Sequence, residues 1–259
     1  MKSVKFVSFA AVAFALATPA MAADMPAKAA PVAVSQPAWF VEGRVGGSFG
    51  WFNDLKFLNP DGTGATTNAV SGDYILLNSK DLSDASFTGG ASVGYFFNNQ
   101  WFAKLSYQYF GQFRASGFAA FPGAVPAGNY RQDLKTTAHG ILVGVGANFN
   151  VTQSVFVEPS AEIGVGVLRS TGQQGANLGV TTNNFPSKTN TNFIAGGGLG
   201  VGYRVNPRFD VLLSSNYYWL GKADTGVTGS PPPGTMNVGE QLQANLSVVT
   251  VTIGGRAKF

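Results

Sequence analysis

The feature that most constrains this chain is an alternation of period two, sustained far longer than an ordinary strand needs. From Trp39 the odd positions read Trp39, Val41, Gly43, Val45, Gly47, Phe49 and Trp51, while the even positions read Glu42, Arg44, Gly46 and Ser48. Successive side chains of a strand point to opposite faces, so this is a strand with one apolar and one polar face. The pattern recurs near residues 87–97, 101–113, 139–149, 157–167, 193–205, 209–219 and 249–259. The segments run to about 12 to 16 residues, whereas a typical strand has about six. A tilted strand crosses a bilayer in about 9 to 11 residues.

The connections alternate as well. Residues 98–100, 150–154 and 206–207 are short and rich in Asn, Pro and Ser, as tight turns are. The stretches 53–83, 115–133, 171–190 and 222–240 read as long polar loops. In an up-and-down sheet this order puts every short turn at one end and every long loop at the other.

Charge placement separates a water-soluble sandwich from a sheet in lipid. On this parity Glu42, Arg44, Lys104, Arg114, Glu158, Glu162, Arg204, Arg208, Asp210, Arg256 and Lys258 share the polar face. The apolar face carries only Arg169, at its rim. A misplaced Arg or Lys at the bilayer midplane costs about 2–4 kcal/mol, which accounts for the asymmetry. Aromatics gather at both ends of the apolar face. Trp39, Tyr95, Trp101, Tyr203 and Phe209 lie toward the short turns; Trp51, Tyr109, Phe113, Tyr217 and Trp219 lie toward the long loops. Two aromatic girdles around an apolar band mark a membrane barrel, and in lipid only closure leaves no unpaired strand edge. The expected fold is all-β: an eight-stranded antiparallel up-and-down transmembrane β-barrel with four long extracellular loops and three short periplasmic turns. One alternative stays open. The run Tyr74–Leu77 either extends the second strand or forms a further hairpin, which would make ten strands.

The rest of the chain fits export. Lys2 and Lys5 precede a short apolar run, and Pro19 with Ala20-Met21-Ala22 forms an A-x-A cleavage site, so residues 1–22 read as a signal peptide. Residues 23–37, rich in Ala and Pro, read as an extended periplasmic linker, and residues 38–259 as the barrel. Without Cys the chain has no disulfide, thiol catalysis or thiolate metal site, and with one His it has no His-rich metal site. Charged residues make up only 12% of the chain, which argues against a nucleic-acid partner.

The leader, the linker, the opening Trp39-Phe40-Val41-Glu42-Gly43 and the final strand Val249–Phe259 carry a resemblance over residues 23–259. The chain resembles the small outer-membrane β-barrels of Gram-negative bacteria. It is similar to the alphaproteobacterial surface-antigen barrels and, more distantly, to the OmpA membrane domain. The resemblance implies a porin-like, structural or host-contact protein of the cell outer membrane. It also implies that the terminal Phe259 serves as the signal read by the outer-membrane assembly machinery.

Eight strands enclose a lumen that side chains can just fill. Glu42, Glu158 and Glu162 balance Arg44, Lys104 and Arg256 near mid-depth, so an internal ion-pair network is expected to plug the barrel. The competing expectation is a narrow channel for small solutes, because Gly144, Gly146, Gly164, Gly166, Gly196, Gly198, Gly200 and Gly202 also face inward and occupy little space. An enzymatic reading has only His139 to offer. It falls on the apolar face near the loop end, while Ser160 and Ser214 face the other way. Gly196–Gly202 lacks the spacing of a nucleotide loop. No cofactor, metal or catalytic residue is expected. The expected partners are outer-membrane lipids and lipopolysaccharide, the assembly machinery, and a host or surface ligand reached through the loops.

Overall fold

The computed structural model describes residues 39–58, 75–76, 78–121, 128–176, 183–227 and 241–259. The signal cleavage site at Ala20 and Ala22 and the linker 23–37 lie outside the described residues. Eight long strands form one sheet: β1 (Trp39–Leu58), β2 (Ser83–Phe96), β3 (Trp101–Phe121), β4 (Gly128–Ala147), β5 (Val155–Ala176), β6 (Asn183–Asn206), β7 (Phe209–Asp224) and β8 (Gln241–Lys258). Each pairs antiparallel with its sequence neighbour, and β8 pairs with β1 from Phe40↔Lys258 to Leu58↔Gln241, closing the barrel. Beside the closing ladder, Phe259 N–H donates to the Trp39 carbonyl at 3.0 Å.

There is no ninth or tenth barrel strand among the described residues. Ile75–Leu76 pairs with Lys56–Phe57 of β1, and Asn78–Asp81 pairs with Ser116–Phe118 of β3. Together they continue the place of β2 outward. The strands also run well into the stretches read as long loops. β3 and β4 pair out to Phe121↔Gly128, and β5 and β6 to Gln174↔Asn183. Polar composition hid these extensions, because a strand standing in water needs apolar residues on one face only.

Side-chain acceptors build the short turns. Asn98 Oδ1 accepts from Gln100 and Trp101 N–H at 2.8 Å, and Asn206 Oδ1 from Arg208 N–H at 2.8 Å. Thr152 Oγ1 accepts from Val155 N–H at 2.9 Å. These caps fix the period-two register of each hairpin from its base.

Between the girdles, the outward positions among the described residues carry no charge. Val41, Val45, Leu105, Ile141, Val143, Ile163, Leu199, Leu213 and Ile253 are among the large hydrophobics pointing away from the protein, the most exposed being Ile141 at 61%. An apolar band encircling the molecule far exceeds the few hundred Å² that a soluble monomer exposes. Trp39, Tyr95, Trp101, Tyr203 and Phe209 edge this band at the turn end. Trp51, Tyr109, Tyr217 and Trp219 edge it at the other, where Trp51 and Tyr217 approach to 5.8 Å between ring centroids.

On four of the eight strands parity does not persist past the outer girdle. One extra residue enters β1 between Asn53 and Lys56, β3 between Tyr109 and Gly111, β6 between Phe185 and Lys188, and β7 between Trp219 and Gly221. Gly111 and Gly221 hold φ of 127° and 78°, a region that side chains disfavour. A one-residue bulge exchanges the two faces beyond it. Phe113, expected in the outer girdle, is therefore fully buried inside, and Arg114, expected in the lumen, is exposed outside.

Candidate functional site

The candidate site is the barrel interior, which is stacked in three layers. At the turn end, Phe40, Phe96 and Phe102 form a buried aromatic cluster with centroid separations of 5.1 to 5.6 Å. Their even positions aim them inward just above the turns.

The ionic layer rests on those rings. The Arg256 guanidinium, completely buried, lies 4.6 Å from the Phe40 centroid and 5.0 Å from that of Phe102. It donates to Glu158 through Nη1 at 2.6 Å and Nη2 at 2.8 Å. It also donates to Glu42 Oε2 through Nη2 at 2.7 Å and Nε at 3.0 Å. One cation thus ties β8 to β1 beside it and to β5 across the lumen. A second knot forms on Glu162. Lys104 Nζ lies 2.7 Å and Arg44 Nη1 3.8 Å from Oε1, and the Tyr218 hydroxyl donates to Oε2 at 2.7 Å. Three acids and three bases make the layer neutral, as burial away from water demands. Arg44 is the least satisfied member, since its Nε and Nη2 have no hydrogen-bond partner.

Above this, eighteen buried residues form one apolar cluster, including Phe52, Phe110, Phe113, Leu134, Leu168, Ile194, Tyr218 and Leu242. Phe110 meets Tyr218 edge-on at 4.9 Å, which joins the apolar stack to the ionic layer.

The inward glycines do not leave open space. Phe40, Phe102 and Phe156 pair in register with Gly94, Gly146 and Gly202, and each ring lies over its glycine. A Cβ built on Gly146 or Gly94 would meet the opposing ring within 2.4 Å, too close for any real side chain. Gly196 receives Tyr218 and Gly144 receives Glu162 in the same way. Small residues on one strand are seats for large ones on the next.

Four of the charges expected on the polar face lie at the turn end, apart from this layer. Arg208 is exposed in the last turn, and Arg204 reaches Asn150 Oδ1 and the Gln153 carbonyl at the turn end. Asp210 and Lys258 are buried and pair at 2.9 Å near that end. Sequence reasoning missed Tyr218, Phe96 and the floor of rings. All lie on inward parity, so weighing every even position equally, and not only the charged ones, would have found them. His139 is half-buried on the outer wall, where Tyr107 Oη lies 2.8 Å from its Nδ1 and the Tyr109 ring 5.0 Å away. Ser160 and Ser214 stand on inward-facing parity, away from it.

A closed antiparallel barrel with an apolar outer band, two aromatic girdles and a packed neutral interior defines an integral outer-membrane protein. The model of the family described as outer membrane protein beta-barrel domain matches residues 8–251, and the chain belongs to that family. No curated protein matches it in sequence. Among solved structures it is similar to the outer membrane protease OmpT of Escherichia coli, at 8% identity and a TM-score of 0.53, covering 88% of this chain and 99% of that one. It is also similar to OprG of Pseudomonas aeruginosa, at 14% identity and a TM-score of 0.45 over 87% and 99% of the two chains. Neisserial surface protein A matches at 18% identity and a TM-score of 0.37 over 85% and 97%. Of these likenesses, that to OmpT supports the fold, and the fold alone. The protein is a barrel of the Gram-negative outer membrane, and barrels of that membrane place short turns in the periplasm and longer loops outside.

Proposed function

We propose that this barrel is a closed structural element of the outer membrane that supports a surface-exposed extension, and that it neither conducts solute nor catalyses a reaction. The observation that carries this reading is the stack of buried side chains inside the barrel. The Phe40–Phe96–Phe102 floor, the Arg256 and Glu162 knots and the apolar stack follow one another along the axis. The expected roles are envelope integrity and contact at the cell surface, in line with the resemblance to alphaproteobacterial surface antigens. The partners in this reading are lipopolysaccharide around the wall, the assembly machinery through Phe259, and a surface ligand at the loops. No catalytic role is assigned, because His139 faces outward and is engaged with Tyr107.

A narrow channel is the competing reading. It draws support from buried polar atoms without partners on one side of the lumen, in Arg44, Ser92, Ser106 and Gln108. Planar-bilayer recording of the refolded mature protein separates the two, with Glu162→Gln alongside. The closed reading expects no steady unit conductance from the wild type. Reproducible channels whose ion selectivity changes in Glu162→Gln would overturn it.

A further inference from the structure

Just beyond the outer girdle the wall carries a cationic strip that the interior network does not use. Arg114 of β3 stands directly opposite Lys135 of β4, and Arg169 of β5 pairs with Thr137, one diagonal step from Lys135. All three are exposed and point outward. Arg114 reaches this face only because the bulge at Gly111 turns it out of the lumen. Like charges directly opposite one another on a sheet repel.

Among the described residues no acid makes an ion pair with the strip, and the two acids beside Arg114, Asp84 at its backbone N–H and Asp81 opposite Ser116, leave the three cations in excess. The nearby acid Asp133 is taken by Arg131 at 2.9 Å. Asp84 accepts from the backbone N–H groups of Ala85 and Arg114, both at 2.9 Å. Arg169 donates from Nε to the hydroxyl of Ser187 at 2.9 Å. On β7, by contrast, Lys222 lies 3.1 Å from Asp224, which also meets Lys188. The excess positive charge belongs to the β3–β5 wall.

Its height identifies what it meets. Tyr109 and His139 pair across β3 and β4 in the outer girdle. Lys135 lies four residues further out on β4, about 10 Å at the usual strand rise and tilt. That is headgroup level, where a cation costs little. Directly below, the same three strands present Leu105, Ile141, Val143 and Val165 to lipid. We infer that Arg114, Lys135 and Arg169 form a binding strip for the phosphates of an anionic outer-leaflet glycolipid of the lipopolysaccharide class. The acyl chains of that lipid lie along the aliphatic wall beneath. A glycolipid anchored in the outer leaflet is held at the height of the cations by its acyl chains, which a soluble polyanion is not. The inference rests on the outward orientation of the loop end and on lipopolysaccharide as a partner, and it is independent of whether the lumen conducts.

The test uses the full mature protein in phosphatidylcholine nanodiscs doped with bisphosphorylated lipid A, with retained lipid counted by native mass spectrometry after detergent exchange. Wild type is expected to retain lipid A, and the variant R114Q/K135Q/R169Q to bind it about a hundredfold more weakly, at about fivefold per cation. Lys222→Gln is expected to bind as wild type, and fully dephosphorylated lipid A is expected not to be retained. Heat-modifiable gel migration reports folding. Should the triple variant misfold, Arg114→Gln and Lys135→Gln singly carry the fivefold expectation. Equal retention by wild type and the folded variants, or retention of the dephosphorylated lipid, would overturn the proposal. So would binding of soluble sucrose octasulfate through these cations without lipid A retention, which would make the strip a soluble-polyanion site. Channel activity with lipid A retention intact would sink only the closed-lumen reading.

Discussion

Replacing Arg256 by Met is the most informative single perturbation of the interior. Arg256 makes four hydrogen bonds to two carboxylates that are themselves at most 7% exposed. Met keeps much of the volume over Phe40 and Phe102 but strands Glu42 and Glu158. Removing one partner of a buried pair costs about 3–5 kcal/mol, most of it the penalty of the charge left behind. The lost contact between cation and rings adds up to about 2 kcal/mol where desolvated. Two features reduce the loss. Met packs against aromatic rings, and Arg44, with two unpartnered nitrogens on the same strand face as Glu42, is a cation able to turn toward it. The expected net destabilisation is therefore about 4 kcal/mol.

The chain offers a built-in reporter. Its four Trp residues, at 39, 51, 101 and 219, all lie in the two girdles at the lipid interface. Equilibrium urea unfolding in lipid vesicles, followed by their emission, reads the change, and heat-modifiable migration checks the folded fraction. The triple variant E42Q/E158Q/R256M removes the cation and both charges it compensates. If stranded charge is the cause, the triple variant should regain most of the loss and unfold within about 2 kcal/mol of wild type. Two results would refute the reasoning. A shift below about 1 kcal/mol in Arg256→Met would mean the carboxylates are not held in a low-dielectric interior. A triple variant as unstable as the single one would locate the loss in ring packing.

Two further outcomes test the wall and the glycine seats. Because the chain has no Cys, single cysteines report facing directly. Arg114→Cys should react with a membrane-impermeant maleimide on intact cells, and Phe113→Cys should react only after unfolding; the reverse order would remove the bulge at Gly111 from the account. Gly146→Val drives a side chain into the Phe102 ring. It should lower stability by about 1–3 kcal/mol, as overpacking does, while Gly146→Val with Phe102→Leu should unfold closer to wild type in the same urea assay.

Within the membrane, strand number, facing and closure were legible because lipid imposes a severe rule. Every outward position between the girdles must be apolar, and a single exception costs more than packing can return. The balance of Glu42, Glu158 and Glu162 against Arg44, Lys104 and Arg256 was visible as composition on one parity. Which acid meets which base was not, because Arg256 reaches across the lumen to Glu158 and that distance depends on barrel shear. The inward glycines misled for a related reason. Taken alone a glycine is a gap, yet Phe102 sits over Gly146 once the register is known. Parity beyond the girdle failed for a different cause, since a bulge inserts one residue without any polar signature except, at Gly111 and Gly221, a glycine able to take positive φ.

Those bulges solve a problem that every barrel projecting from a membrane has. In lipid its apolar face must be outside; in water the same face must be inside. β4, β5 and β8 make the exchange by rewriting the sequence. Beyond the girdle their inward positions become apolar, as at Leu134, Leu168 and Leu242, and their outward ones polar, as at Lys135, Arg169 and Gln243. β1 and β3 keep the alternation running and exchange the faces instead. Odd positions run from Trp51 through Asn53 to Leu55 and from Tyr109 through Gly111 to Phe113, and the extra residue turns Leu55 and Phe113 inward. Both routes feed the one apolar cluster that fills the upper lumen. They also feed one outer surface, because the bulge that sends Phe113 in to pack sends Arg114 out beside Lys135. The inward place of Phe113 and the outward place of Arg114 are two consequences of a single inserted residue. Gly111→Val, which disfavours the positive φ the bulge needs, should therefore weaken both together, because an unbulged ladder with the residue retained would expose Phe113 and turn Arg114 inward.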